Sequence, residues 1–170
     1  MNIKWIGAVL IILGCGGPGF SFSMAYRREE QLLQQLLAAL DYMSCELQYR
    51  MTPLPELCRQ TGNGRKGVIG KLFQNLASEL DSQISPDVCC CLAAAASTVG
   101  DLPARIQKAI CLLGESLGRF DLDGQLHGID AVRSYCRGEL ENMALGREVR
   151  LRSYQTLGLC AGAALAILLV

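Results

Sequence analysis

The chain has 170 residues, enough for one domain, and its 16 Lys+Arg balance 16 Asp+Glu to a net charge of zero. That balance supplies no basic stripe of the kind nucleic-acid binding needs. Hydrophobic residues make up 51% of the chain, and the apolar excess is gathered at the two ends, leaving a middle of ordinary composition.

The first element, Ile3 to Tyr26, carries one charge, Lys4, at its outer edge. As a helix its length is about 36 Å, enough to cross a hydrocarbon core of about 30 Å. Gly14, Gly16, Gly17 and Pro18 interrupt its second half, and transmembrane helices tolerate such residues. A rival reading of this stretch is a lipoprotein signal, with Leu13-Gly14-Cys15 as its cleavage site, which would place a domain tethered at Cys15 outside the cytoplasm.

Residues 29–50 follow without an intervening turn, so the two stretches read as one long helix. Leu33, Leu36, Leu37, Leu40, Met43 and Leu47 recur at three- and four-residue steps, an amphipathic stripe. Pro53 and Pro55 end that helix. Thr52 is placed to cap the next one, with Pro53 in its first position and Glu56 in the first turn, running to about Thr61. Residues 62–67 read as a loop. A helix burying Ile69, Leu72, Phe73, Leu76 and Leu80 comes next. Another starts at Ser85-Pro86 and breaks at Gly100-Asp101. A third carries Ile106, Ile110, Leu113 and Leu117 and closes at Gly118. The last begins near Asp123, with Leu126, Ile129, Val132, Cys136, Leu140 and Met143 on one face. It leads toward Tyr154–Val170, a second charge-free segment at the lower limit of spanning length, which Arg150 and Arg152 extend by snorkelling. Gly158, Gly162 and Ala166 fall on one face of it and suit close helix packing in lipid, with the N-terminal segment as the expected partner.

The fold class expected is all-α: a helical bundle at 27–153 flanked by transmembrane helices at 3–26 and 154–170. Arg27, Arg28, Arg147, Arg150 and Arg152 lie on the side of the central domain, against Lys4 and the α-amine on the other. The positive-inside rule therefore places the domain in the cytoplasm and both termini outside.

A search for chemistry finds little. Nine cysteines without regular spacing and without a Cys-x-x-Cys pair make a poor disulfide framework, and a single histidine cannot complete a metal site with them. Reduced cysteines acting as small hydrophobes are the simpler reading. Asp123, His127 and Asp130 are the one set from which an enzyme could be argued, yet Asp121 and Asp123 fit a turn and helix cap equally well. No catalytic residue, metal or cofactor is assigned. The proline-stiffened stretch Thr52–Glu56 suits binding, because a stiff loop loses little entropy when it docks.

Several stretches resemble the stage III sporulation protein AB family. They are Ile3-Lys4-Trp5-Ile6-Gly7-Ala8, Gly19-Phe20, Tyr26-Arg27-Arg28, Gln31-Leu32-Leu33 and Ala38-Ala39-Leu40. Glu46-Leu47-Gln48-Tyr49, Thr52-Pro53-Leu54-Pro55-Glu56, Leu117-Gly118 through Asp121 to Gln125, and Leu157-Gly158 complete the set. The pieces run in order over nearly the whole chain. Leu47 stands where the family usually has isoleucine, and the cysteines outnumber the family's. The resemblance implies a structural component of the sporulation channel between mother cell and forespore, needed for endospore formation and similar to the cytoplasmic domains of type II secretion and type IV pilus platform proteins. It implies the mother-cell membrane as location, and the complex's ATPase, the AA protein, and other channel components as partners. Candidate interface residues are then Glu46, Tyr49, Thr52, Pro53, Pro55 and Glu56, with Asp121 and Gln125.

Overall fold

The computed structural model describes the backbone at residues 3–82, 87–118 and 121–169, and side chains at 24–82, 87–118 and 121–146. Among the described residues there are six α-helices and no strand: α1 Ile3–Arg50, α2 Leu54–Asn63, α3 Val68–Ser82, α4 Val88–Thr98, α5 Ala104–Ser116 and α6 Leu122–Leu169. Each packs on the next, and α6 returns along α1 to close the bundle. The all-α expectation is met. Among the described residues no helix is long and apolar enough to cross a membrane. Most of the segments 3–26 and 154–170, including Cys15, Gly158, Gly162 and Ala166, lies outside the residues whose side chains are described.

The core follows the helical periodicities. In α1, Leu33, Leu36, Leu40 and Met43 are fully buried, and α3 contributes Ile69, Leu72, Phe73 and Leu76. From α6 come Ile129, Val132, Cys136 and Met143, while Leu80, Leu126 and Leu140 pack at its margin. Cysteines 89, 90 and 91 separate by face, as the roughly 100° step between helical neighbours requires: Cys91 is buried, Cys89 half-buried and Cys90 exposed.

α1 and α6 run antiparallel. Tyr26 Oη donates to the Met143 carbonyl at 2.7 Å. Arg105 of α5 bridges Glu29 at 3.1 Å and Glu139 at 2.6 Å, and Arg133 pairs with Asp41 at 2.5 Å. Numbers that rise along α1 are thus matched by numbers that fall along α6.

Three boundaries differ from expectation. Thr52 does not cap α2. Its hydroxyl donates to Glu46 Oε2 at 3.4 Å, and Pro53 is the cap residue without a side-chain bond. Pro55, in the first turn, has no N–H, so one of the donors a cap would satisfy is absent. α2 also continues through Gly62 and Asn63, shortening the expected loop. α4 begins at Val88, where the Asp87 carboxylate accepts from the Cys89 amide at 3.3 Å.

Burial pushes the Cys58 thiol up to about 12 and Cys136 to about 11. An unfolded thiol ionises near pH 8.5. Above that pH the unfolded chain sheds protons that the folded chain keeps, so stability present at neutral pH is lost as pH rises toward the folded values. The melting temperature should be level from about pH 6 to 8 and fall by about pH 10. Cys58→Ala should flatten part of that fall. An unchanged pH profile in the variant would remove Cys58 as a source.

Candidate partner-docking site

α1 ends at Arg50, and Met51 then takes φ +50, the left-handed conformation that usually closes a helix on glycine. For a side chain with a Cβ this costs about 1 kcal/mol. The residues at this turn face solvent: Tyr49 is 80% exposed, Met51 72% exposed, and Pro53 is also exposed. Tyrosine, methionine and arginine are the residues enriched in protein interfaces, and Arg50 stands between the first two.

The predicted site residues divide into two groups. Glu46 and Thr52 are turned toward the protein: the Glu46 side chain is 13% exposed, 3.6 Å from Arg50, and accepts from the Thr52 hydroxyl. Tyr49 and Pro53 face outward, and Pro55 is half-buried in the first turn of α2. Glu56 is partly exposed and already engaged. Gln60 Nε2 donates to its carboxylate at 3.0 Å and Arg59 pairs with it at 2.5 Å, while the other arm of Arg59 reaches Asp81 on α3. The Gln60 amide, with Arg59, holds the Glu56 carboxyl below the usual carboxylate range.

Asp121 and Gln125 stand at the start of α6. Asp121 Oδ1 accepts from the Gly124 amide at 3.0 Å and its carbonyl from the Gln125 amide at 2.9 Å, the geometry of a cap. The capping alternative therefore describes what Asp121 does inside the molecule. Both residues lie at the same end of the bundle as the α1–α2 corner. A Cβ on Gly118, three residues before Asp121, would come 3.8 Å from Leu54. The candidate residues thus share one end of the bundle. Met51 was missed in the sequence, and its one signal is its position, where a helix ends without glycine and a proline follows two residues later.

The set Asp123, His127 and Asp130 does not converge. His127 Nδ1 lies 2.8 Å from the Asp123 carbonyl, a contact within its own helix, and Asp130 is paired with Arg133 at 2.5 Å. No cluster of three or more metal-ligating side chains occurs among the described residues. A groove of about 340 Å³ between α4 and α5, walled by Leu92, Ala96, Leu102 and Ile110, has Cys89 and Cys111 on its rim and no charged residue in its lining.

The molecule so described is an all-α bundle whose outstanding surface feature is an exposed, proline-stiffened corner. Comparison with known proteins gives the family. The stage III sporulation protein AB family model matches residues 4–170, and the chain belongs to that family. It is 29% identical over 79 residues to stage III sporulation protein AB of Bacillus subtilis (strain 168), a match covering 46% of this chain and 46% of that protein, so it spans less than half the length of the curated relative. A solved structure of a stage III sporulation protein AB shares the fold, with a TM-score of 0.64 at 19% identity, covering 72% of this chain and 98% of the other. Membership places the chain among sporulation proteins.

Proposed function

We propose that this chain is a non-enzymatic membrane platform of the sporulation channel complex, anchored in the mother-cell membrane through 3–26 and 154–170, with 27–153 in the cytoplasm docking the complex's ATPase. The observation that carries the docking is the corner at Tyr49, Met51 and Pro53, where apolar side chains stand in solvent at and beside the left-handed turn at Met51. Aromatic and methionine side chains grouped with an arginine at one exposed corner are the composition of a partner surface. The anchoring rests on the two charge-poor terminal stretches and on the arginines flanking the central domain. The antiparallel course of α1 and α6 supports the two segments entering one patch of membrane side by side, with Gly158, Gly162 and Ala166 toward the first.

The test uses the full chain in its host membrane. Alkaline carbonate should leave it in the membrane fraction, detergent should release it, and the ATPase should co-purify with it. Cysteines introduced in pairs along 3–26 and 154–170 should crosslink within one chain. Release by carbonate would sink the anchoring, absence of the ATPase from a purified intact complex would sink the docking, and absence of every crosslink would separate the two segments.

A further inference from the structure

Asn63-Gly64 is the one Asn-Gly pair in the chain. The side-chain amide of an asparagine is a weak electrophile. The backbone nitrogen of the next residue is the nucleophile best placed to reach it, because the attack closes a five-membered ring. A glycine in that next place has no Cβ to hinder the approach. Both residues are exposed, so water and hydroxide reach them.

The fold restrains this pair with two bonds. Asn63 is the last residue of α2, and Gly64 follows it with φ −73 and ψ −7, still right-handed. The Gly64 amide donates to the Gln60 carbonyl at 3.1 Å, which turns the nucleophile back along the helix and occupies its hydrogen. Gln74 Nε2 of α3 donates to Asn63 Oδ1 at 3.1 Å, which holds the electrophile toward α3. Both bonds lie at an exposed helix end, the part of a helix that opens most readily. The residues on either side are fixed more firmly. Gly62 is buried against α3, and the Arg65 guanidinium lies on the Ala38 and Thr61 carbonyls. Opening is thereby confined to Asn63 and Gly64.

We propose that Asn63-Gly64 is a site of spontaneous deamidation, gated by the last turn of α2. When the turn opens, the Gly64 nitrogen gives its proton to hydroxide and attacks Asn63 Cγ. The new C–N bond closes a succinimide ring, the Cγ–Nδ2 bond breaks, and ammonia leaves with a proton taken from water. A second water then opens the ring. Breaking the bond from nitrogen to Cγ leaves an aspartate in a chain of unchanged length. Breaking the bond from nitrogen to the backbone carbonyl leaves an isoaspartate, which adds one methylene to the backbone. The sum is one water consumed and one ammonia released, with nothing oxidised or reduced. The isoaspartate falls where the chain has no room to lengthen. The Arg65 carbonyl lies against Gly70 so closely that a Cβ there would not fit, and the Arg65 guanidinium is seated over the Tyr42 ring. A methylene added between residues 63 and 64 displaces Arg65 from both contacts.

The test ages the detergent-solubilised full chain at mildly alkaline pH, folded or in urea strong enough to unfold the bundle. Mass spectrometry of the tryptic peptide 60–65 follows the gain of one dalton. Deamidation should be about tenfold slower in the folded chain than in urea. Gln74→Met keeps the side-chain stem beside Gly62 and removes the donor. It should speed the folded reaction about fivefold and leave the rate in urea unchanged. In Gly64→Ala the added Cβ meets only the Gln60 and Thr61 carbonyl oxygens, at 3.5 and 4.0 Å, so the variant should fold and should react about tenfold more slowly in urea. The isoaspartyl chain, once separated, should melt several degrees below the aspartyl one. Equal rates in the folded chain and in urea, or a Gln74→Met chain no faster than the parent, would overturn the gate. Absence of any mass gain in urea would overturn the site itself. Equal melting of the two products would overturn the damage assigned to the longer backbone.

Discussion

Gly70→Ala should destabilise the bundle by about 3 kcal/mol, among the largest effects expected of a single added methyl group at the described residues. A Cβ at Gly70 would lie 2.1 Å from the Arg65 carbonyl oxygen, 2.9 Å from its carbon and 3.2 Å from the Gly62 carbonyl oxygen. All three are backbone atoms, so no side chain can swing aside. The reciprocal position is also closed: a Cβ at Gly62 would meet Gln74 Cγ at 2.7 Å and the Gln74 backbone nitrogen and Gly70 carbonyl oxygen at 2.9 Å each. α2 and α3 therefore cross backbone on backbone, and Arg65 of the connecting loop is in turn held over the Tyr42 ring, 5.8 Å from its centroid. Alanine favours helix over glycine by about 1 kcal/mol, which is too little to offset displacement of that loop. Gly138→Ala is the control. A Cβ there meets nothing within 4 Å, so the same substitution in α6 should raise stability by up to about 1 kcal/mol. Thermal unfolding of the detergent-solubilised chain, followed by circular dichroism, measures both. Equal melting temperatures for the two variants would show that α2 and α3 can separate without cost.

What could be read from the residues divides along physical lines. The stripes of α1, α3 and α6 were legible because burial repeats with the helical period, and Leu33, Phe73 and Ile129 are buried where the spacing put them. The break at Pro53–Pro55 and the turns at Gly100 and Gly118, with φ +96 and +75, were legible because proline and glycine constrain the backbone locally. Long-range pairing was not. Arg105 joins Glu29 and Glu139 across 76 and 34 residues, and no local pattern records that. Gly62 looked like a loop residue because it stands beside Asn63-Gly64. Its role as a helix crossing depends on Gly70 and Gln74 arriving from α3. The candidate site was half legible: the prolines marked the corner, whereas Met51 has no signature in composition, and Thr52 found Glu46 instead of the helix end it was expected to cap. Asp121 and Gln125 are marked only by family resemblance, and only the folded chain shows that they lie at the same end of the bundle as Tyr49.

Replacing Tyr49 and Met51 together by alanine should lower retention of the complex's ATPase by about 30-fold, the effect of losing a contact worth about 2 kcal/mol, without lowering the melting temperature. Both side chains stand in solvent, so their removal opens no cavity in the core. Met51→Gly sharpens the experiment. Glycine adopts φ +50 without strain, so the bundle should be as stable as the parent or up to about 1 kcal/mol more so, while the lost side chain weakens docking. Stability and binding then move in opposite directions, which no general unfolding effect can imitate. Glu56 needs a different design. Glu56→Lys alone should weaken co-purification and leave the bundle folded, but it also takes from Arg59 one of the two carboxylates it holds. Glu56→Lys with Arg59→Glu and Asp81→Lys restores both ion pairs of Arg59 with reversed polarity. If Glu56 touches the ATPase, docking stays weak in the triple variant. If its role is to hold Arg59 in place, docking returns, and the contact surface contracts to Tyr49, Met51 and Pro53. Full retention of the ATPase by the Tyr49–Met51 double variant would move docking away from this corner altogether.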